Sequence, residues 1–238
     1  MNLDVLIFAA HPDDAELSMG GTIVKFTRAG RKVGVIDLTL GEMSTRGNLE
    51  SREAETNNAT KIMKLALREN LKIPDGNIDI SDTNLKKVVA TIRTYKPQII
   101  FAPYFNDRHP DHIDASLLVK RAMFKSGLTK FVTKINGKTQ QAYRPEKLYY
   151  YMQTYTFEPT FIVDISESFK DKMEAIMAYQ SQLYNSNSKE PSTFISSKNF
   201  IEFIEGRSKF YGFSIGKGYG EPFYCEEAIE YNFNDLLK

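Results

Sequence analysis

Two near-copies of one tetrapeptide hold every histidine of this chain, and each copy follows a short apolar run. His11-Pro-Asp-Asp14 comes after the run Val5 to Ala10, and His109-Pro-Asp-His112 comes after the run Ile99 to Pro103. Imidazole and carboxylate are the ligands that a divalent transition metal selects. The pattern therefore predicts a metal site at the ends of two strands.

Short β-rich runs alternate with longer amphipathic segments along the first half of the chain. This alternation is typical of βαβ units, in which helices cover both faces of a parallel sheet. We therefore predict an α/β fold with a mostly parallel sheet flanked by helices. The predicted strands lie near residues 3–9, 32–39, 70–73 and 98–102, and the predicted helices near 14–29, 50–67, 82–95 and 111–126.

The usual strand order of a doubly wound sheet would bring the two tetrapeptides together. Strands one to three are laid outward and strand four lies beside strand one, so ligands bind at the carboxyl ends of strands one and four. His11 follows strand one, and His109 and His112 follow strand four. Residues that are distant in sequence are therefore expected to meet in one crevice.

The second half of the chain has a weaker pattern. Lys134-Ile-Asn-Gly-Lys138 indicates a turn in a loop or hairpin before the aromatic run Leu148 to Met152. Further elements are a strand near 160–164, a helix near 167–183, a polar loop at 185–193, a helix near 197–211 and a glycine-rich tail from Gly212 to Gly220. We treat residues 1–238 as one domain, with a core at about 1–126 and a C-terminal elaboration at about 127–238.

Composition argues against several classes of protein. Lys and Arg total 31 against 30 Asp and Glu, so bulk charge predicts neither a nucleic-acid nor a membrane partner. Cys225 is the only cysteine, which rules out a disulfide within the chain. The sequence has no helix-length apolar run and no basic-then-apolar leader, so we expect a cytoplasmic protein.

The two tetrapeptides contain enough groups for metal-assisted hydrolysis. A catalytic Zn²⁺ has three protein ligands and an open position, so His11, His112 and one carboxylate would suffice. Asp13 and Asp14 point in different directions, so one can bind metal while the other acts as a general base on water. His109 can stabilise a tetrahedral intermediate or protonate a leaving amine. Fe²⁺ or Co²⁺ would fit the same ligands.

Simpler roles exist for some of these residues. Asp13 or Asp14 can cap the helix that follows, with Pro12 aiding its start, and capping is compatible with metal binding. Asp111 is expected to cap the helix that begins near His112, or to orient a histidine, rather than to bind metal.

Two motifs of this chain resemble one known enzyme family. Ala10-His-Pro-Asp-Asp-Ala-Glu16 with Gly20-Gly-Thr22, together with Arg108-His-Pro-Asp-His112, resembles the zinc-dependent N-acetylglucosaminyl deacetylases of the PIG-L or LmbE-like family. The resemblance covers nearly the whole chain and is vague only between about residues 125 and 160. It implies a Rossmann-like α/β fold, one catalytic zinc ion and hydrolysis of an acetamide.

Three further motifs are similar to the bacterial branch that makes bacillithiol, and to the first type of its deacetylase. They are Gly41-Glu-Met-Ser-Thr-Arg-Gly47, Arg52-Glu-Ala-Glu55 and Tyr219-Gly-Glu-Pro-Phe223. This branch implies that the substrate is N-acetylglucosaminyl-malate and that the products are glucosaminyl-malate and acetate. A small-molecule sugar is therefore the expected partner, and because relatives are commonly multimeric, a homo-oligomer is expected too.

The resemblance also implies a role for each residue of the metal site. It makes His11, Asp14 and His112 the zinc ligands and Asp13 the general base, with His109 as the electrostatic or acid partner.

Three arginines are the candidate substrate ligands. Arg52 matches an arginine that relatives use on the sugar-bearing substrate, and Arg108 directly precedes the second motif. An anionic malate needs a cation that can hold it with two hydrogen bonds. Arg46 and Glu42 lie in the loop after strand two, which suits either binding or an ordinary turn. The alternative for Arg52 and Arg108 is a surface ion pair or a helix-end charge.

Other features are left without a role. Many family members have Glu directly after the two aspartates, whereas Ala15 precedes Glu16 here. The run Tyr149 to Tyr151 can stack on a sugar, form a core strand or make a subunit contact. The tail Gly212 to Gly220 is either a substrate loop or a connection.

Several other functions are alternatives to the deacetylase. A dinucleotide-binding module would need G-x-G-x-x-G after strand one, where this chain has two carboxylates that repel a pyrophosphate. A non-catalytic metal- or sugar-binding protein has no need for a spare carboxylate such as Asp13. Within the enzymes, the alternatives are an amidase of thiol conjugates and a deacetylase of other N-acetylglucosaminides, which share the metal site and differ in the pocket.

Overall fold

A computed structural model gives the structure of the protein, and it describes residues 1–230. The helices are α1 (Asp14–Arg28), α2 (Leu49–Ile62), α3 (Asp82–Tyr95), α4 (Pro110–Ser126), α5 (Phe169–Met177) and α6 (Phe200–Ser214). The strands are β1 (Val5–Ala9), β2 (Val33–Asp37), β3 (Leu67–Asn70), β4 (Ile99–Pro103), β5 (Lys134–Ile135), β6 (Lys138–Thr139), β7 (Lys147–Tyr151), β8 (Phe161–Asp164) and β9 (Gly220–Tyr224).

A seven-stranded sheet in the order β3-β2-β1-β4-β7-β9-β8 forms the centre of the described structure. Five neighbouring strands run parallel, namely β3, β2, β1, β4 and β7. β9 runs antiparallel to both of its neighbours, β7 and β8. β1 pairs with β4, with Val5 opposite Ile99. The predicted α/β class, the mostly parallel sheet and the adjacency of the first and fourth strands are confirmed.

Both faces of the sheet are covered, because alternate side chains of β1 enter different clusters. Leu6 and Phe8 pack with side chains of α3 and α4 on one face. Val5 and Ile7 pack with side chains of α1 and α5 on the other face. All of β1 is buried, as expected for the centre of a parallel sheet.

Several predicted boundaries were wrong by a few residues. β3 lies at Leu67–Asn70 rather than 70–73, because α2 ends at Ile62 and Lys64 turns the chain with a left-handed φ of 53°. α5 ends at Met177 rather than near 183, because the chain then forms successive turns in which Tyr179 donates to Ile176 and Gln182 donates to Tyr179. α6 begins at Phe200 and runs on to Ser214.

The glycine-rich tail is not one loop, and only residues 215–219 form the connection that was one of its alternatives. Its first residues belong to α6, and Gly220 begins β9, which the sequence pattern did not predict. Glycine and proline usually argue against a central strand. Here the ladder with β7 stops at Phe223, so Pro222 pairs only with β8.

The run Tyr149 to Tyr151 belongs to β7 and is part of the core. Tyr150 and Tyr151 are buried, and the Tyr151 hydroxyl donates to the carbonyl oxygen of Phe8 at 2.9 Å. Of the alternatives for this run, the core strand is the one that the structure shows.

Glu221 joins the glycine motif near the start of the chain to β9. α1 is broken at Met19, whose φ of −136° and ψ of 21° are not helical. The amides of Gly21 and Thr22 then donate to the Glu221 carboxylate at 3.0 and 2.7 Å, and Lys172 donates to it at 2.7 Å. Since Glu221 and Lys172 are each 1% exposed, this ion pair lies in the interior and holds α1, α5 and β9 together.

Within residues 1–230, the structure has no helix with the length and apolar character that a membrane crossing needs.

Candidate functional site

The ends of β1 and β4 bring the two tetrapeptides together, so that all three histidines lie in one cluster. The ring centroids of His11 and His109 are 4.8 Å apart, and those of His109 and His112 are 4.9 Å apart. His11 and His112 are separated by 5.6 Å between centroids. The expected meeting of distant residues therefore occurs in the structure.

His11, Asp14 and His112 present facing donor atoms. One ligand atom from each residue lies within 4.8 Å of the others. The Asp14 carboxylate oxygens lie 3.5 Å from Nδ1 of His11 and 3.3 Å from Nε2 of His112. Two imidazole nitrogens and one carboxylate around a common point fit a divalent transition metal. In a second group, formed by His11, His109 and Asp111, the candidate ligand atoms also lie within 4.8 Å of one another.

Three further carboxylates hold the outer nitrogens of the two candidate ligand histidines. Asp107 lies 2.8 Å from Nδ1 of His112. Asp75 and Asp111 lie 3.1 and 3.2 Å from Nε2 of His11. Such partners fix the ring orientation and tautomer of metal-ligating histidines, so the surroundings of the site also fit a metal ion.

Asp75 and Asp107 belong to the site although the sequence patterns did not reveal them. Asp107 precedes His112 by five residues and could have been found as a carboxylate close to the second motif. Asp75 lies in a Pro-Asp-Gly sequence, which indicates only a turn.

Asp111 does not cap α4, which corrects the first alternative for this residue. The helix begins at Pro110, and His109 occupies the cap position with its Nδ1 accepting the Asp111 amide at 3.2 Å. The Asp111 carboxylate instead accepts from the amide of Gly76 at 2.8 Å and lies beside His11. This position matches the second alternative, in which Asp111 orients a histidine.

Neither aspartate of the first motif caps α1 with its side chain. Asp13 occupies the cap position but makes no side-chain cap bond, and Asp14 accepts from the amide of His11 at 2.9 Å. Asp13 also has a φ of 112°, which is strained for a residue other than glycine. This backbone turns its carboxylate toward Arg52, whose Nη1 lies 3.4 Å away.

The two aspartates have opposite pKa shifts. Burial raises the pKa of Asp13 to about 7, although the charge of Arg52 opposes this. Burial also acts to raise the pKa of Asp14, but the charge of His112 and hydrogen bonds from both histidines outweigh it and hold that pKa well below its usual range. Asp14 is therefore ionised, which is the form that can bind a metal. The pKa of Asp13 lies near neutrality, which suits a group that takes up and releases a proton during a reaction.

His109 is placed to act as a neutral donor. Its Nδ1 accepts the Asp111 amide, so the proton of the neutral ring sits on Nε2. Burial and the charges of His11 and His112 lower the pKa of His109, which favours this neutral form. His109 lines the cavity described below, where Nε2–H can stabilise negative charge on a reacting oxygen.

We predict that His109→Ala lowers kcat by about 10²- to 10³-fold, the usual loss for one oxyanion donor, with little change in KM. Metal content measured by elemental analysis should stay at the wild-type level. His109→Asn is the control, because asparagine restores a cap acceptor at the start of α4. If His109→Ala instead loses its metal, His109 is a ligand, and the metal is held by the second group of His11, His109 and Asp111.

A cavity of about 580 Å³ opens over this cluster, a volume typical of small-molecule sites. Its near half contains the histidines and carboxylates of the two motifs together with Arg52, Asp75 and Gly76. The far half is mainly apolar and lies along α6 and the loop before it, with Leu17, Arg108, Gln153, Phe194, Ile195, Phe200, Phe203, Ile204 and Arg207. The sequence patterns indicated no role for α6 or this loop in the site.

The structure separates the three predicted substrate arginines. Arg52 is buried in the near half, with its guanidinium 5.9 Å from the centroid of the Tyr179 ring. Arg108 is exposed at the edge of the cavity, 4.6 Å from the ring centroid of Phe194. Arg46 does not line this cavity, and its donors reach the carbonyl oxygens of Ser181, Leu183 and Pro191 at 3.0, 3.3 and 3.4 Å.

Glu42 and Glu16 also have structural contacts. Glu42 accepts from the amide of Asp75 at 2.8 Å and so helps to hold the loop that contacts His11. Glu16 is fully buried, pairs with Arg68 and accepts from the Tyr179 hydroxyl at 3.0 Å. Glu16 therefore has a structural role, since it links α1 to β3 and to the segment after α5.

Comparison with known proteins places the chain among deacetylases. The family model described as PIG-L: GlcNAc-PI de-N-acetylase matches residues 6–123. Diacetylchitobiose deacetylase of Thermococcus kodakarensis is 30% identical over 192 residues, covering 75% of this chain and 69% of that protein. This chain belongs to the PIG-L family.

As a PIG-L family member the chain is a de-N-acetylase, which hydrolyses an amide bond. Probable N-acetyl-alpha-D-glucosaminyl L-malate deacetylase 2 of Bacillus cereus is 27% identical over 195 residues, covering 76% of this chain and 84% of that protein. A conserved protein from Thermus thermophilus, whose crystal structure is known, has 34% sequence identity to this chain. The two structures superpose with a TM-score of 0.87 over 97% of this chain and 98% of that chain. The fold of that protein is thus shared over nearly the whole of this chain.

Proposed function

We propose that this PIG-L protein is a zinc-dependent hydrolase that removes the acetyl group of N-acetylglucosaminyl-L-malate, a step of bacillithiol biosynthesis. The observation that carries the proposal is the arrangement of Asp13 beside the His11, Asp14 and His112 group at the floor of one cavity. A binding protein needs the ligand group alone, whereas hydrolysis also needs a separate proton acceptor.

The metal site is proposed from its donor set. His11, Asp14 and His112 would hold a zinc ion, and Fe²⁺ or Co²⁺ would suit the same donors. The bound ion would supply Lewis-acid activation of water and of the amide carbonyl.

The protein side chains would perform the proton transfers. Asp13 accepts a proton from the attacking water and is held in place by Arg52. His109 donates a hydrogen bond from Nε2 to the oxygen that gains negative charge. The proton that Asp13 takes from water passes to the leaving amine as the carbon–nitrogen bond breaks, which returns Asp13 to its carboxylate form. Asp107 keeps the ring of His112 in one orientation throughout.

The choice of a malate conjugate as substrate is supported by the positive charges in the cavity. Arg52 and Arg108 both line the cavity and can hold a carboxylate in a bidentate manner. Arg46 would act through the loop that it supports rather than by touching the substrate. The name of the B. cereus relative supports a malate conjugate, and the name of the T. kodakarensis relative supports a second candidate, a diacetylchitobiose-like glycan.

Acetate release by the purified, zinc-loaded protein tests the proposal. We expect kcat/KM for N-acetylglucosaminyl-malate to be far above that for free N-acetylglucosamine and for diacetylchitobiose, measured side by side. A preference for diacetylchitobiose would replace the malate substrate and keep the deacetylase. The absence of acetate from all three substrates would contradict the proposal as a whole.

The cytoplasmic location, the homo-oligomer and the single domain stay predictions, and a small sugar conjugate stays the proposed partner.

A further inference from the structure

We infer that Arg207 and Gln153 form an anion subsite in the far half of the cavity, which binds a carboxylate of the group attached to the sugar. The inference rests on the proposed function, because it names the part of the site that would recognise an acidic conjugate. Neither residue was part of the site predicted from the sequence.

Charge is distributed unevenly along the cavity. The carboxylates that line it, Asp13, Asp14 and Asp75, all belong to the near half beside the histidines. The far half contributes two cations, Arg108 and Arg207, and no acidic side chain among the lining residues. A substrate with its acetamide at the histidines can therefore bring an anionic group onto these two cations, which lie along the same cavity wall as Leu17 and Gln153.

Arg207 is a buried cation without an acidic partner among residues 1–230. Its side chain is only 9% exposed, and its guanidinium donates to the carbonyl oxygens of Gln153 and Leu17, the latter at 3.1 Å. Of the carboxylates whose charge reaches Arg207, Glu221 is already bound by Lys172 at 2.7 Å and Asp107 already lies 2.8 Å from Nδ1 of His112. A buried charge that lacks an opposite charge is costly, so an anionic ligand at this position would be stabilised.

Arg207 also remains a cation, and it is well oriented. Burial lowers the pKa of Arg207 to about 10, which leaves the group charged at neutral pH. Its guanidinium carbon lies 5.3 Å from the centroid of the Phe203 ring, a contact that restricts the side chain. A guanidinium held in this way can meet a carboxylate without first losing side-chain freedom.

Gln153 supplies an independent observation at the same place. Its side chain lines the cavity and is 7% exposed, and Oε1 accepts from the Ser18 hydroxyl at 2.5 Å. That bond leaves Nε2 as the free end of the amide, and Nε2 has no hydrogen-bond partner in the described part of the chain. Because Arg207 is bonded to the backbone carbonyl of Gln153, the two groups lie next to each other.

Arg52 is less suited to this task. Its Nη1 lies 3.4 Å from the carboxylate of Asp13, so part of its charge is already matched. Since malate has two carboxylates, we assign one of them to Arg207 and leave the other to Arg108 and to the part of the Arg52 guanidinium that does not face Asp13.

Paired substrates and paired variants test the subsite. The zinc-loaded wild type, Arg207→Gln and Arg207→Lys are assayed for acetate release from N-acetylglucosaminyl-malate and from the neutral methyl N-acetylglucosaminide. We expect Arg207→Gln to lower kcat/KM for the malate conjugate by roughly 10- to 100-fold, mainly through a higher KM. For the neutral substrate, kcat/KM should change by less than about twofold. Lysine should restore only part of the loss, because it lacks the planar fork.

Arg46→Gln is the matched control, since Arg46 is also a buried arginine that donates to backbone carbonyls but lies outside the cavity. It should affect both substrates equally. If Arg207→Gln lowers kcat/KM for both substrates to the same extent, Arg207 is a structural residue like Arg46 and the proposal of an anion subsite is wrong.

Binding separates a failed subsite from a failed function. Calorimetry of N-acetylglucosaminyl-malate with zinc-loaded Asp13→Asn, and with the same protein carrying Arg207→Gln, measures affinity without turnover. A weaker Kd of roughly 10-fold or more in the double variant supports the subsite even if the wild type releases no acetate. An equal Kd in both proteins, or no binding to either, overturns it.

Discussion

Asp13→Asn is expected to keep the wild-type amount of bound metal and to lose deacetylation by about 10²- to 10⁴-fold, the range for general-base assistance. Asp13 lies beside the proposed ligands but is directed toward Arg52. Asparagine has nearly the same shape and cannot accept the proton. Metal content by elemental analysis and kcat by acetate release are measured on the same preparation.

The neighbouring carboxylate is the matched comparison. Asp14→Asn should lose metal and activity together, because Asp14 faces both His11 and His112. His112→Ala should behave in the same way. Melting temperatures show whether either variant has also lost its fold. A metal-free Asp13→Asn beside a metal-bound, active Asp14→Asn would reverse the two roles.

Glu221→Ala is expected to destabilise the protein by about 3–5 kcal/mol, the range for breaking a buried ion pair from one side. The substitution leaves the ammonium of Lys172 buried without its partner, and it removes the acceptor for the amides of Gly21 and Thr22. The break in α1 at Met19 lies just before these two amides. Urea unfolding followed by circular dichroism measures the effect.

Two variants show the origin of this loss. Glu221→Gln keeps the side-chain shape and one acceptor, so it should be less destabilising than alanine. The double variant Glu221→Gln with Lys172→Met removes both charges and should recover part of the stability. If Glu221→Ala unfolds at the same urea concentration as the wild type, the buried pair does not hold α1 to β9.

Much of the fold and of the candidate metal site could be predicted from local patterns. The apolar runs that became β1, β2 and β4 are short and buried, so their positions follow from hydrophobicity. Parallel strands place their carboxyl ends at one edge, which is why the meeting of His11 with His112 followed from strand order.

The far half of the cavity could not be predicted in this way. Phe194, Phe203 and Arg207 come from a polar loop and a helix whose own sequence indicates only packing. Their position depends on how α6 packs against β9, which contains Gly220 and Pro222, and against Leu17 of α1. Residues that act only through long-range contacts leave no periodic signal.

By itself, the sequence determined which side chains are the candidates for the chemistry, because a histidine or aspartate at a strand end is set by the local order of residues. Only the tertiary structure decided their partners. It placed Asp107 behind His112, Arg52 against Asp13, and Arg207 in the far half of the cavity without an acidic partner among residues 1–230. The physical reason is that the environment of a charge depends on which distant segments surround it, whereas its chemical identity does not.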